Sequence, residues 1–447
     1  MQKQQKQLET QLNDFDKQAR TDALNDLIQL KKAGKVEVSE EKEIANMHCH
    51  TFFSFNGYGY SPTAIAWMAK KKGIKFVGIV DFDVLDGVEE FLGACEIAGV
   101  RGSAGLETRV YIPEFSTREI NSPGEPGISY YMGLGFTSGN VNPDKQEILD
   151  AMRNRAEERN RGMLVRLNEY LTPLVIDYEK EVLPLTPAGN ATERHMLTAI
   201  VKAVDERINN TDRFWSEKLK IPENEISELK KDLPGFKNII RKKLMKRGGV
   251  GYVQPGSDTF PSVDEVNQMI LAGGALPCIT WLDGTTAGEQ AMDEMMALMI
   301  EKGAVTVNIV PDRNWNIADD EIRHQKVQNL YDFVEMAKKN DLPINVGTEM
   351  NAYGLKIVDD FDVPELVPVR DAFIDGAYFI YGHTILKRHA SLGYQSKWSK
   401  KNFKSQKVKN EFYTEIGKRV EPSAISIKKV QQLNGDLSPE EILQIFM

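Results

Sequence analysis

Seven short apolar runs, most of them separated by stretches with helical spacing, limit this chain to few architectures. Residues 44–49 (IANMHC), 76–80 (FVGIV), 104–112 (AGLETRVYI), 129–136 (SYYMGLGF), 275–280 (ALPCIT), 304–310 (AVTVNIV) and 343–347 (PINVG) read as strands. Strands alternating with amphipathic helices need those helices on their faces. The expectation is therefore an α/β fold, a parallel sheet or a β/α barrel. The rhythm stops between Asn142 and Arg247, where the sequence is charged, helical in spacing and broken by Pro173, Pro184, Pro187, Pro222 and Pro234. Residues 1–43 are charged and Gln-rich with sparse apolar positions, and the sequence after Gly354 is again mostly helical.

These shifts divide the 447 residues into an N-terminal helical extension (1–43), a barrel in two pieces (44–141 and 248–352), a helical insertion (142–247) and a C-terminal helical region (353–447). Hydrophobic residues at 41% are enough for a sizeable core. A net charge of -9 repels phosphate backbones and anionic lipid, so neither nucleic acid nor membrane is expected as a partner. No apolar run reaches the roughly 18 residues that a spanning helix needs. Cys49, Cys95 and Cys278 form no disulfide framework, which fits a reducing, cytoplasmic setting. The N-terminal helix is the segment expected to mediate any self-association. The Lys-rich stretch Lys397–Lys409 reads as a solvated face.

Chemistry concentrates in MHCHTFFSFNGYG. His48 and His50 are alternate residues at the end of a strand, so both imidazoles face one way and can ligate one cation, while Cys49 faces the barrel wall. The next strand ends in Asp81 and Asp83, and the one after carries Glu107. Imidazoles and carboxylates at the same ends of successive strands are what a metal-dependent barrel hydrolase requires. The Gly/Pro-rich segment 251–262 lacks the Gly-Lys-Ser/Thr of a phosphate loop, and GLGF (133–136) lacks dinucleotide spacing, so no nucleotide cofactor is expected.

In these motifs the chain resembles the PHP (polymerase and histidinol phosphatase) domain family, a distorted seven-stranded β/α barrel. The resemblance covers about residues 44–352. It rests on His-x-His-Thr at 48–51, Asp81 in the place of the Asp of a Thr-Asp-His-Asp motif, Gly-x-Glu at 105–107 and Gly-Thr-Glu-Met-Asn at 347–351. A helical insertion fits as well, with ATERHMLTAIV (191–201) similar to the start of the family's insertion helix. The resemblance implies up to three metals, yet Phe55, Phe82, Tyr130, Thr280 and Asn351 stand where ligands would be. The positions that bind one of the three metals read His48, His50, Glu107 and Glu349. The expectation is a barrel reduced to one divalent ion, Zn²⁺, Mn²⁺ or Fe²⁺.

One metal can polarise a carbonyl or activate water, but it does not clamp both the attacking and leaving oxygens as a two-metal phosphatase does. The expected reaction is hydrolysis of a small polar or anionic substrate, with Asp81 or Asp83 as general base. A sugar isomerase or lyase on the same metal, and a catalytically silent binding protein, are the alternatives. Arg313, Trp315 and Asn316 follow the strand at 304–310 and are expected to hold substrate, as are Arg109, Tyr130, Asn351 and His195. His324 reads as exposed, and His383 and His389 are given no ligand role.

Overall fold

The structure, a computed structural model, describes residues 2–447. All seven strands form, and they pair in sequence order into one sheet: β1 (Lys42–Cys49), β2 (Ile74–Phe82), β3 (Arg101–Tyr111), β4 (Ile128–Phe136), β5 (Leu276–Trp281), β6 (Thr306–Ile309) and β7 (Ile344–Val346). The sheet curls until its ends meet. Just beyond β7, Glu349 bridges Cys49, its N–H donating to the His48 carbonyl at 2.8 Å and its carbonyl accepting from the His50 N–H at 2.7 Å. The result is a distorted β/α barrel.

One expectation is corrected. The sheet is not wholly parallel: β4 runs antiparallel to both β3 and β5, while the remaining neighbours are parallel. The cause is the connection. Residues 112–127 hold only a single 3₁₀ turn (Pro113–Phe115), whereas parallel neighbours need a full crossover, usually a helix. The reversal has a consequence for the site. It brings the start of β4 to the rim where the other strands end, and Tyr130 pairs in register with Arg109.

Helices α1 (Gln2–Gln11) and α2 (Lys17–Lys32) bury Leu8, Leu24 and Leu27 in the barrel's own core, together with Leu12 of the turn between them. Around the sheet lie α3 (Pro62–Lys72) and α4 (Val88–Ala98), and after β4 comes the 28-residue α5 (Pro143–Tyr170). Its first half packs Leu149 and Met152 into the barrel core. Its second half packs Leu164 and Leu167 into a separate core with α6 (Glu193–Arg207), α7 (Thr211–Leu219), α8 (Glu223–Leu229) and α9 (Leu233–Leu244), centred on Trp215, Phe236 and Ile240. The barrel resumes with α10 (Val263–Ala272), α11 (Ala287–Gln290), α12 (Met292–Glu301), α13 (Asp312–Trp315) and α14 (Asp320–Lys339) between its last strands.

The C-terminal helices are α15 (Arg370–Ala390), α16 (Lys397–Asn402), α17 (Gln406–Arg419), α18 (Ala424–Gln431) and α19 (Pro439–Ile445). Most of α15 is buried against β1, β3, β4 and β7, with His383 wholly enclosed and hydrogen-bonded to the Gly135 carbonyl at 3.2 Å. No described helix is long and apolar enough to cross a membrane.

Candidate metal centre

The alternation of β1 places Cys49 in the core wall and turns His48 and His50 into the barrel mouth, where both are fully buried. Glu107 reaches them from β3. Its Oε2 lies 3.4 Å from His48 Nε2 and 3.0 Å from His50 Nε2, and the three ligand atoms fall within 4.8 Å of one another. None of the three atoms has a hydrogen-bond partner. A buried polar atom without a partner costs free energy, on the order of 1–3 kcal/mol, and here three converge on one point. Two imidazole nitrogens and a carboxylate oxygen in that arrangement form a donor set for a divalent cation. Gly347 allows the closing strand to come this near, because a Cβ there would lie 2.5 Å from the His48 backbone nitrogen.

Hydrogen bonds behind the rings decide which nitrogen faces the site. His48 Nδ1 lies 3.2 Å from Asn308 Oδ1. That oxygen also accepts from Asn345 Nδ2 at 2.9 Å, and Asn345 Nδ2 donates to the Met47 carbonyl at 3.2 Å. The Met47 carbonyl accepts only, so it fixes the Asn345 amide; Asn345 in turn fixes Asn308, and His48 must carry its proton on Nδ1. On the other ring, His50 Nδ1 lies 3.1 Å from Ser54 Oγ, whose hydroxyl donates to Asp81 Oδ1 at 2.6 Å. The Ser54 oxygen is then an acceptor for His50 Nδ1–H. Both Nε2 lone pairs are left pointing at Glu107, the tautomer that a metal ligand needs.

Asp81 is held from every side. Besides Ser54, it accepts from the Thr51 N–H and the Thr51 hydroxyl, each at 2.7 Å. It therefore braces the loop that follows His50. Asp83 sits differently, in a left-handed conformation (φ 60) at the rim. Its Oδ1 accepts from Thr108 Oγ1 at 2.5 Å, and its Oδ2 faces Arg159 of α5 at 3.9 Å. Burial raises the Asp83 pKa, opposed by Arg159, Thr108 and Arg109.

Glu349 has the same left-handed backbone (φ 62). Its carboxylate accepts from Arg313 Nη2 on both oxygens, at 3.0 and 3.1 Å, and from Asn351 Nδ2 at 3.4 Å. It is close enough for its charge to raise the His48 pKa, together with Glu107 and against burial. Arg109 pairs with Glu125 at 2.9 Å and lies over the Phe260 ring, beside Tyr130. Trp315 is engaged elsewhere, its indole donating to Asp359 at 3.0 Å, and the Asn316 amide donates to Asp312 at 3.1 Å.

The insertion contributes the start of α6. Glu193 is held by Arg241 and Lys246, at 2.9 and 3.0 Å. Arg194 lies over Phe55, and burial and then Arg241 lower its pKa to about 10. His195 packs edge-on against Phe55, at 5.1 Å between ring centres, and its Nδ1 accepts the Thr192 N–H at 3.1 Å. Phe82 stacks on His50 at 4.2 Å. The two phenylalanines noted in the sequence thus pack against histidines of the mouth.

Ser54, Asn308, Asn345, Arg159 and Arg194 were not expected from the sequence. Asn308 and Asn345 interrupt otherwise apolar strands, AVTVNIV and PINVG, and a buried amide in such a run is the available signal. The two arginines lie in an insertion whose placement over the mouth the sequence does not encode locally.

No protein-family model matches the chain, and no curated protein matches it in sequence. Four solved chains are similar, two of them as follows. One is an amidohydrolase from Chromobacterium violaceum with bound sulfate and no metal, at 15% identity and a TM-score of 0.47, covering 73% of this chain and 96% of that one. The other is described as a metal-dependent phosphoesterase, from Bifidobacterium adolescentis, at 18% identity and a TM-score of 0.46, covering 74% of this chain and 97% of that one.

Proposed function

We propose that the protein is a PHP-like hydrolase that uses one divalent metal, Zn²⁺, Mn²⁺ or Fe²⁺, on a small anionic substrate. The observation that carries this reading is the convergence of His48 Nε2, His50 Nε2 and Glu107 Oε2, all buried and all without hydrogen-bond partners. Glu349, tied by its backbone to both His48 and His50, is the fourth ligand. A single site is favoured because Phe82 occupies the face of His50 and Phe55 packs against His195, which leaves apolar surface where a second cluster would need donors. A divalent ion held there would supply Lewis acidity toward a carbonyl or phosphoryl oxygen and toward water.

The chain's own residues divide the remaining work. Asp83 serves as the general base: it lies at the rim, and burial raises its carboxyl above the ordinary carboxylate value, which makes it a better proton acceptor. Asp81, bound by Thr51 and Ser54, keeps His50 in place instead. Arg313, Arg109 and Arg194 give the mouth a cationic lining that suits a carboxylate or phosphate. Tyr130 and Asn351 border the same opening. Three buried free thiols, Cys49, Cys95 and Cys278, fit a reducing cytoplasm.

The test is metal content and metal-dependent turnover. Protein stripped with chelator and reloaded with one equivalent of Zn²⁺ or Mn²⁺ is expected to hydrolyse at least one member of a panel of phosphate esters, carboxylic esters, lactones and amides. His48→Ala and Glu107→Gln should abolish both binding and turnover. Retention of about one metal by both variants, or metal-independent turnover, would overturn the reading.

A further inference from the structure

We infer that Arg313 is an oxyanion site whose occupation is coupled to metal binding through Glu349, so that the anionic substrate and the metal bind cooperatively. The inference rests on the metal-site reading and assigns that site its control. Glu349 is tied by backbone hydrogen bonds to His48 and His50, and its carboxylate is near enough for its charge to act on the His48 ring. That same carboxylate is engaged by a guanidinium, and it cannot serve a cation on each side at full strength. An ion held by His48, His50 and Glu107 would compete with Arg313 for Glu349.

The Arg313 contact is built to be exchanged. A strong arginine–carboxylate pair uses two nitrogens side by side, one for each oxygen. Here one nitrogen, Nη2, faces both oxygens at 3.0 and 3.1 Å. Among the described residues, Nε and Nη1 of Arg313 donate to nothing, and the side chain is 46% exposed. A guanidinium offers two forks, Nε with Nη2 and Nη1 with Nη2, and both include Nη2, so a phosphate, sulfate or carboxylate that takes two nitrogens has to take Nη2 from Glu349. The opposite end of the exchange is anchored: Glu349 is 13% exposed and its backbone is fixed by the bridge to Cys49, so only its side chain turns between Arg313 and the ion.

An oxyanion on Arg313 therefore weakens its hold on Glu349 and returns the carboxylate to the metal. Linkage requires the reverse to hold equally: the metal, by taking Glu349, frees Arg313 for the anion. Couplings of this kind usually amount to about 5- to 150-fold in affinity. Substrate then recruits the fourth ligand as it arrives.

The experiment is calorimetric titration of Mn²⁺ into the full-length, metal-stripped protein, with and without saturating sulfate at matched ionic strength. Sulfate is the probe because it coordinates Mn²⁺ weakly in solution. In the wild type, sulfate is expected to tighten Mn²⁺ binding at least about 5-fold. Arg313→Gln should bind Mn²⁺ at least about 5-fold tighter than wild type without sulfate, and should gain nothing when sulfate is added. Glu349→Gln should bind more weakly and show no sulfate effect.

A sulfate effect that persists in Arg313→Gln would mean the anion sits on the metal itself, and overturns the proposal. So would Mn²⁺ affinities that are equal in wild type and Arg313→Gln under both conditions. Failure of all three proteins to bind Mn²⁺ at all, while remaining folded by circular dichroism, would instead overturn the metal-site reading beneath it.

Discussion

Asn345 fixes the tautomer of His48 without touching it, by holding Asn308 Oδ1 toward His48 Nδ1. The chain of amides is buried, and its origin is a backbone carbonyl that can only accept. Asn308→Leu removes the acceptor at similar volume. The expected result is a metal affinity lowered about 10- to 100-fold, as is usual when the partner behind a ligating histidine is lost. Competition against a chromophoric chelator measures it. Binding as tight as wild type in a folded Asn308→Leu protein would show that the amides do not orient the ring.

The Ser54 hydroxyl does the same for His50, with Asp81 behind it. Ser54→Ala leaves a buried ring N–H without an acceptor and one Asp81 oxygen short of a donor. Stability should fall by about 1–3 kcal/mol. Nitrogen chemical shifts of His50 should show loss of the fixed Nδ1–H form, a change that a purely structural serine would not produce. An unchanged His50 tautomer in Ser54→Ala counts against the relay.

The seven strands were legible because short apolar runs bounded by turns leave few alternatives, and the imidazole pair was legible because a two-residue period puts both on one face. The antiparallel β4 was not. Strand direction depends on whether residues 112–127 contain a crossover helix, and that stretch has no strong periodicity in either sense. The site was legible in part. His48, His50 and Glu107 sit at strand ends and do converge. The pairing of Glu349 with Arg313, and the different surroundings of Asp81 and Asp83, depend on side chains brought together from residues far apart in sequence, which no local pattern encodes. The long apolar residues of 1–43 looked like an exposed helix face because the surface they cover, around α3 and α4, is assembled only in the fold.

That N-terminal packing is anchored by an ion pair between Arg20 and Glu90, both buried. Glu90 also accepts from Thr63 Oγ1 at 2.8 Å, and Arg20 lies over Phe52, in the loop that follows His50. Removing one partner leaves an uncompensated buried charge. Arg20→Met should cost about 3–5 kcal/mol in urea unfolding, and Arg20→Met with Glu90→Leu should recover much of it. A single-variant cost below about 1 kcal/mol would mean the pair behaves as an exposed one.

His195 sets a pH limit on the insertion. Burial lowers its pKa from the ordinary value to about 4, and its Nδ1 closes the N-terminal cap of α6 by accepting from Thr192. A folded-state pKa below the unfolded one means that the unfolded chain takes up the proton first as pH falls. The stability contribution is thus whole above the unfolded value of about 6.5 and is lost progressively as pH falls toward about 4. The full difference corresponds to about 3 kcal/mol. His195→Gln keeps an acceptor at the third helical position, as in an ordinary capping box, and does not titrate. The variant should match wild type near pH 8 and lose less stability between pH 6.5 and 4, measured by urea unfolding at each pH. Parallel losses in the two proteins would show that His195 protonates as readily in the folded protein as in the unfolded chain.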